Sequence, residues 1–294
     1  MSTAATSVEE APSPRPAVAR RRRRPGVLTV YGWELRKLRA QKRTYLGLAL
    51  AVAVPLAFTI SLTLRNGQPN DVAFGRYVRE SGLAIPLVML IFMSAFFFPL
   101  ISALVAGDIV AAEDHNGTLK TILTRSLDRG QVFLGKLLAA FTYTFLAVLL
   151  TGVVSLVAGV IVSGLHPLFT LSGTKVGTGK GLGLVLAALG IELVPLLAVT
   201  AIGVLLSTVT RNSAAAVVST LMVILVLNLL DIIPGLEGIR PYMLPHQFDA
   251  WMGLLREPID WSPIVRAAWV SALFGVPPAF AALVVFLRRD VAGG

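Results

Sequence analysis

Six stretches of the chain are almost wholly apolar: residues 44–64, 82–106, 131–162, 181–209, 213–230 and 264–287. A helix rises about 1.5 Å per residue, so about 20 apolar residues cross a hydrocarbon core. Each stretch therefore reads as a membrane-spanning helix. The second carries Pro86 and Pro99 as kink sites, and the fourth carries Pro195. The third is long enough to protrude from the bilayer, and Pro277-Pro278 interrupts the sixth. Neighbouring helices and hydroxyls satisfy the carbonyls that such prolines free. The expected fold is an all-α membrane protein with six transmembrane helices.

Upstream of the first span the pattern changes. In residues 27–43, Leu28, Tyr31, Leu35 and Leu38 recur at helical spacing, while Arg36, Lys37 and Arg43 mostly face the other way. Trp33 adds an interfacial aromatic and Arg39 a further positive charge. The pattern predicts an amphipathic helix lying in the membrane plane, or alternatively a basic extension of the first span. Residues 1–26 are rich in Ala, Pro, Ser and Arg and show no apolar period, which predicts a disordered basic tail. The run Arg20, Arg21, Arg22, Arg23, Arg24 reads as a cytoplasmic retention signal, with anionic lipid as the other reading. Residues 27–294 are then one transmembrane domain.

Composition agrees with the spans. Hydrophobic residues make up 55% of the 294 and charged residues 14%. Soluble domains carry about 25% charged residues. The net charge of +10 is uneven, with eleven Lys or Arg in residues 1–43. With the N-terminus inside, the segments on the cytoplasmic side hold 18 Lys and Arg and the outer segments hold 8. That bias puts both termini in the cytoplasm of a multi-pass plasma-membrane protein, and nucleic acid is not an expected partner. Cysteine is absent, so disulfides, thiol catalysis and zinc–thiolate sites are excluded.

Some motifs are decoys. Residues 173–181 read GTKVGTGKG, close to a phosphate loop, but Gly181 stands where Ser or Thr is needed and no strand is expected before it. Asn116-Gly117-Thr118 is a glycosylation triplet on the cytoplasmic side. His115, His166 and His246 fall in separate loops, so no catalytic or metal site is expected.

The informative segment is the cytoplasmic loop between the second and third spans. Asp108, Glu113 and Asp114 put acid at the foot of the second span, and Asn116-Gly117 breaks the helix. Leu119, Ile122, Leu123 and Leu127 give a short amphipathic helix, and Asp128 is placed to cap the third span. A transverse helix of this kind suits docking into a partner's groove. An ordinary loop is the bland alternative.

The stretch Glu113, Gly117-Thr118-Leu119, Arg125, Arg129 and Gly135-Lys136-Leu137 resembles the pattern of bacterial ABC-2-type transporter permeases. Trp33-Glu34-Leu35-Arg36-Lys37-Leu38, followed by Arg43-Thr44, is similar to that family's leading helix. Ser126-Leu127 departs from the pattern, since many relatives have proline there. The resemblance implies a permease half that dimerises, with a second identical copy as the expected mate, and binds ATPase subunits. The loop helix would be the coupling helix. Its docking residues would be Glu113, Gly117, Thr118, Leu119, Lys120, Ile122, Leu123 and Arg125. The chain itself would bind no cofactor, because it has no phosphate loop; ATP and Mg would sit on the partner ATPase. Asp108, Glu113 and Asp114 are expected to meet the basic helix around Arg36, Lys37 and Arg39.

Two ionisable groups interrupt spans. Glu192 lies near the middle of the fourth, where a charge costs on the order of 3 kcal/mol, so it must face the bundle or a wet cavity. It reads equally as a substrate or cation contact and as a structural group, either hydrogen-bonded to a neighbouring helix or protonated. Asp231 reads as interfacial. Phe92, Phe96, Phe97 and Phe98 are either lining for an amphipathic substrate or helix packing; Glu192 and Phe97 are the candidates for the translocation path. The aromatic outer loop 233–263 reads either as interfacial anchors or, by the resemblance, as short re-entrant helices. The expected function is a permease subunit of an ATP-driven exporter rather than an enzyme. An ion-coupled secondary transporter and a non-transporting assembly protein are the alternatives.

Overall fold

The computed structural model describes residues 26–64, 69, 71–115 and 128–288. Six helices among them are long and apolar enough to cross a membrane. Most of the expected tail, residues 1–25, lies outside the described residues.

The first helix, α1 (Val27–Ala40), buries Val30, Glu34 and Leu38, one every fourth residue. Its inward stripe is thus centred on Glu34, and Leu28 is exposed instead of packed. Gln41 is extended, so α1 ends there and the first span, α2 (Lys42–Leu64), is a separate helix.

The second span is segmented. It runs as α3 (Ala84–Phe92), a π-helical turn (Met93–Phe97) and α4 (Phe98–Ala106), with the short α5 (Ala111–His115) at its foot. Pro99 has no N–H to give the carbonyl four residues back, so the α ladder is disturbed there and wider bonds take over. Pro86 sits in the first turn of α3, where it interrupts nothing.

The third span, α6 (Arg129–Ser163), starts where the sequence says it should. Asp128 is its N-cap, and its side chain accepts from the Gly130 N–H at 2.7 Å and the Gln131 N–H at 3.4 Å. At 35 residues it is about 50 Å long, well beyond the hydrocarbon thickness. A two-residue hairpin follows, β1 (Leu168–Phe169) antiparallel to β2 (Lys175–Val176). A short strand does therefore precede the glycine-rich decoy, contrary to expectation. It feeds the fourth span, α7 (Thr178–Thr210).

Arg211 in the left-handed conformation closes α7, and the Asn212 side chain caps the fifth span, α8 (Ser213–Ile232), by accepting from the Ala215 N–H at 3.0 Å. The segment after α8 then forms two 3-10 helices (Arg240–Tyr242 and Pro245–Leu255) before the sixth span, α9 (Ser262–Arg288). Pro277-Pro278 does not interrupt α9; the helix stays continuous along its packing surface on α7.

Aromatics of segment 233–263 divide. Trp251 and Phe248 are buried and Trp251 lies against Phe74, whereas Tyr242 and Trp261 stay exposed as interfacial anchors would. In the phenylalanine patch only Phe98 is core, and Phe92 and Phe96 face outward. Hydroxyls tie the spans together: Ser102 on α4, Thr144 on α6 and Thr200 on α7 form a chain with spacings of 3.2 and 2.9 Å. Such bonds have no water to compete with them inside a membrane.

Candidate functional site

The polar centre of the described structure is at the foot of the bundle. Glu34 and Lys37 come from α1, Glu113 from α5 and Lys136 from the second turn of α6. Lys136 is wholly buried, and its ammonium meets Glu34 Oε2 at 3.1 Å and Glu113 Oε2 at 2.7 Å. Lys37 meets the other two oxygens, Glu34 Oε1 at 2.9 Å and Glu113 Oε1 at 2.5 Å. The four groups close a ring of alternating charge with no net charge. Lys136 also donates to the Ile109 carbonyl at 3.0 Å, using its remaining proton.

Local sequence makes this ring possible. A Cβ at position 135 would lie 2.7 Å from the Val30 side chain and 3.1 Å from the Tyr31 N. Gly135 is what lets the backbone of α6 approach α1, and the next residue, Lys136, then lands between two carboxylates. At the start of α5, the N–H groups of Ala111 and of the preceding Val110 donate to Ser207 Oγ of α7 at 3.0 and 3.2 Å, which fixes the turn carrying Glu113.

Burial alone would lower the pKa of the Lys37 ammonium. The Glu113 and Glu34 carboxylates outweigh it and hold the group above its ordinary value.

Two further pairs flank the ring. Asp108 accepts from both Arg43 and Ser213, joining α2 and α8 to the end of α4. Asp114 pairs with Arg211 at 3.7 Å. The acids at the foot of the second span therefore do meet basic groups, but the partners are Lys37, Lys136, Arg43 and Arg211 rather than Arg36 and Arg39.

Of the residues expected to dock an ATPase, only Glu113 is described. Gly117, Thr118, Leu119, Lys120, Ile122, Leu123 and Arg125 lie outside the described residues. Trp33 is partly exposed on α1. Glu192 is fully buried and bonds Ser94 at 2.6 Å, and Phe97 is half-buried on the π turn that carries Ser94. An apolar cleft of about 320 Å³ between α6, α7 and α9, lined by Leu137, Val194, Ala198, Ser271 and Gly275, involves neither of them.

Glu34 and Lys136 were missed as site residues. The signal for Lys136 is present: a lysine followed by a long uncharged run must find a partner inside the bundle.

A family model for ABC-2 family transporter proteins matches residues 32–228, about two thirds of the chain. The chain belongs to the ABC-2 transporter family. Membership makes it a multi-pass membrane permease of the ABC transporter type. Over 75 residues it is 39% identical to the "Probable ABC transporter permease protein NosY" of Stutzerimonas stutzeri. That match spans only 25% of this chain and 27% of the relative. The matched region 32–228 contains all four residues of the charge ring.

Proposed function

We propose that this ABC-2 permease is the membrane half of an ATP-driven exporter, working with a separate ATPase that supplies ATP and Mg. Segment 116–127 serves as the docking element, with Glu113 at its shoulder. The permease acts as a homodimer in the plasma membrane with both termini in the cytoplasm.

One observation carries the reading: the closed charge ring of Glu34, Lys37, Glu113 and Lys136. Glu113 lies three residues before the docking segment, and Asp128, just after it, caps α6. A push on the segment therefore acts on both of its anchors. Glu113 cannot be displaced without breaking ion pairs to α1 and to α6, and breaking a buried pair costs about 3–5 kcal/mol. Rigid transfer is favoured over local yielding, so movement of the ATPase is passed on to α1 and the third span together. Family membership and the bias of Lys and Arg toward one side support the same reading.

The test is co-purification with a P-loop ATPase, and vanadate-sensitive turnover of the reconstituted pair. Glu113→Lys reverses one corner of the ring and is expected to abolish stimulation of the ATPase by the permease. An ATPase that never binds, or stimulation that survives Glu113→Lys, overturns the proposal.

A further inference from the structure

Glu192 belongs to a second polar site, far from the charge ring. It lies near the middle of α7, fully buried. Its Oε1 is 2.6 Å from Ser94 Oγ on the π turn of the second span. Its Oε2 is buried and has no hydrogen-bond partner among the described residues.

The protons can be counted. Ser94 has a single hydroxyl proton, and its Oγ also lies within hydrogen-bonding distance of the Leu90 carbonyl one turn back. A carbonyl can only accept, whereas a carboxyl can also donate, so both short contacts of this one hydroxyl are met when its proton goes to Leu90. The short contact between Ser94 and Glu192 then needs a proton from the other side, and only the carboxyl can supply it. The same assignment accounts for Oε2. On a neutral acid that atom is a carbonyl oxygen, whose lack of a partner costs far less than an unpaired carboxylate charge in a dry interior.

Among the described residues, no cation pairs with Glu192. The second span has no ionisable side chain between Ala84 and Ala106. On α6 the ionisable groups are Arg129, Lys136 and Tyr143, all in its cytoplasmic half, and Lys136 is committed to the ring. On α9 they are Arg266 and Arg288, one near each end, and on α8 Asp231 lies at the outer end. The outer 3-10 segment packed on α7 carries His246 and Asp249.

We propose that Glu192 is a proton-binding site, and that its neutral acid, donating to Ser94, latches the fourth span to the π turn of the second. The ligand is a proton. The latch holds while the site is dry; wetting of the bundle lets the proton leave to water, and the contact then persists only if the Ser94 hydroxyl turns from the Leu90 carbonyl to the Glu192 anion. This inference rests on the bundle geometry and stands whether or not an ATPase drives the chain.

Infrared spectroscopy of the purified permease in lipid bilayers tests it. Near neutral pH the wild type is expected to show a protonated-carboxyl C=O band that Glu192→Gln lacks. Ser94→Ala is expected to shift that band, because the acid loses its acceptor. Glu192→Gln keeps a neutral donor in place, so it is expected to fold with wild-type stability. An identical carboxyl region in wild type and Glu192→Gln overturns the proposal. So does a band unmoved by Ser94→Ala, or a Glu192→Gln protein that fails to fold.

Discussion

Lys136 and Lys37 sit in one ring but do different work. Lys136 is fully buried, so removing it leaves two carboxylates sharing only the half-exposed Lys37, with one negative charge uncompensated in a low-dielectric site. Lys136→Met keeps the apolar stem and is expected to destabilise the permease by about 3–5 kcal/mol, read as a fall in thermal unfolding temperature in detergent. Adding Glu34→Gln removes the surplus negative charge and is expected to recover part of the loss. Lys37 is 42% exposed at its side chain, so Lys37→Met is expected to cost about 1 kcal/mol or less. Its pH signature has a definite sign. The folded state raises the ammonium's pKa above 10.5, so the pair's contribution is complete below that value and is lost as pH rises through the higher folded value. The stability gap between wild type and Lys37→Met is therefore expected to be flat across the neutral range and to shrink only above pH 10.5. A gap that closes near neutrality would show that the carboxylates do not hold Lys37.

At the scale of elements, the seat of α1 on α6 depends on a missing side chain. Gly135→Leu would push into Val30 and the Tyr31 backbone, where even a Cβ has no room. The helix must lift, Glu34 and Lys37 leave with it, and trypsin is expected to cut at Lys37 and Arg39 far faster than in the wild type. Equal cleavage rates would mean that α1 is held by something other than this approach. The example marks the boundary of what local sequence reveals. The spans were legible because long apolar runs have few other uses, and Asp128 because capping is decided within three residues. The ends of α6 and α7 were set too short: residues such as Thr178, Gly179 and Lys180 are polar or small, yet they continue a helix already begun in the membrane. Glycine before lysine belongs to a local pattern, but its reason lies in Val30, more than a hundred residues earlier in the chain. The π turn was equally hidden, since Pro99 announces a disturbed ladder without saying whether the helix kinks or widens. Pro277-Pro278 shows the converse, because packing on α7 keeps α9 continuous through a pair that looks like a break.

For the whole molecule, the decisive matter is which side of the membrane holds the charge ring. The ring, the Asp108–Arg43 pair and the Asp114–Arg211 pair all sit at one end of the bundle, and the hairpin and 3-10 segment sit at the other. The first end carries the larger share of Lys and Arg, which predicts that it is cytoplasmic. The chain has no cysteine, so one introduced thiol is the sole target of a maleimide. Ala40→Cys lies at the exposed end of α1, and Gly179→Cys lies near the start of α7 with nothing within 4 Å of the new side chain. A membrane-impermeant maleimide added to intact cells is expected to label Gly179→Cys at once, and Ala40→Cys only after the membrane is opened. The reverse order would put segment 116–127 outside the cell, where no ATP-hydrolysing partner could reach it. The charge ring would then be a structural clamp, and an ATP-driven mechanism would have no place to begin.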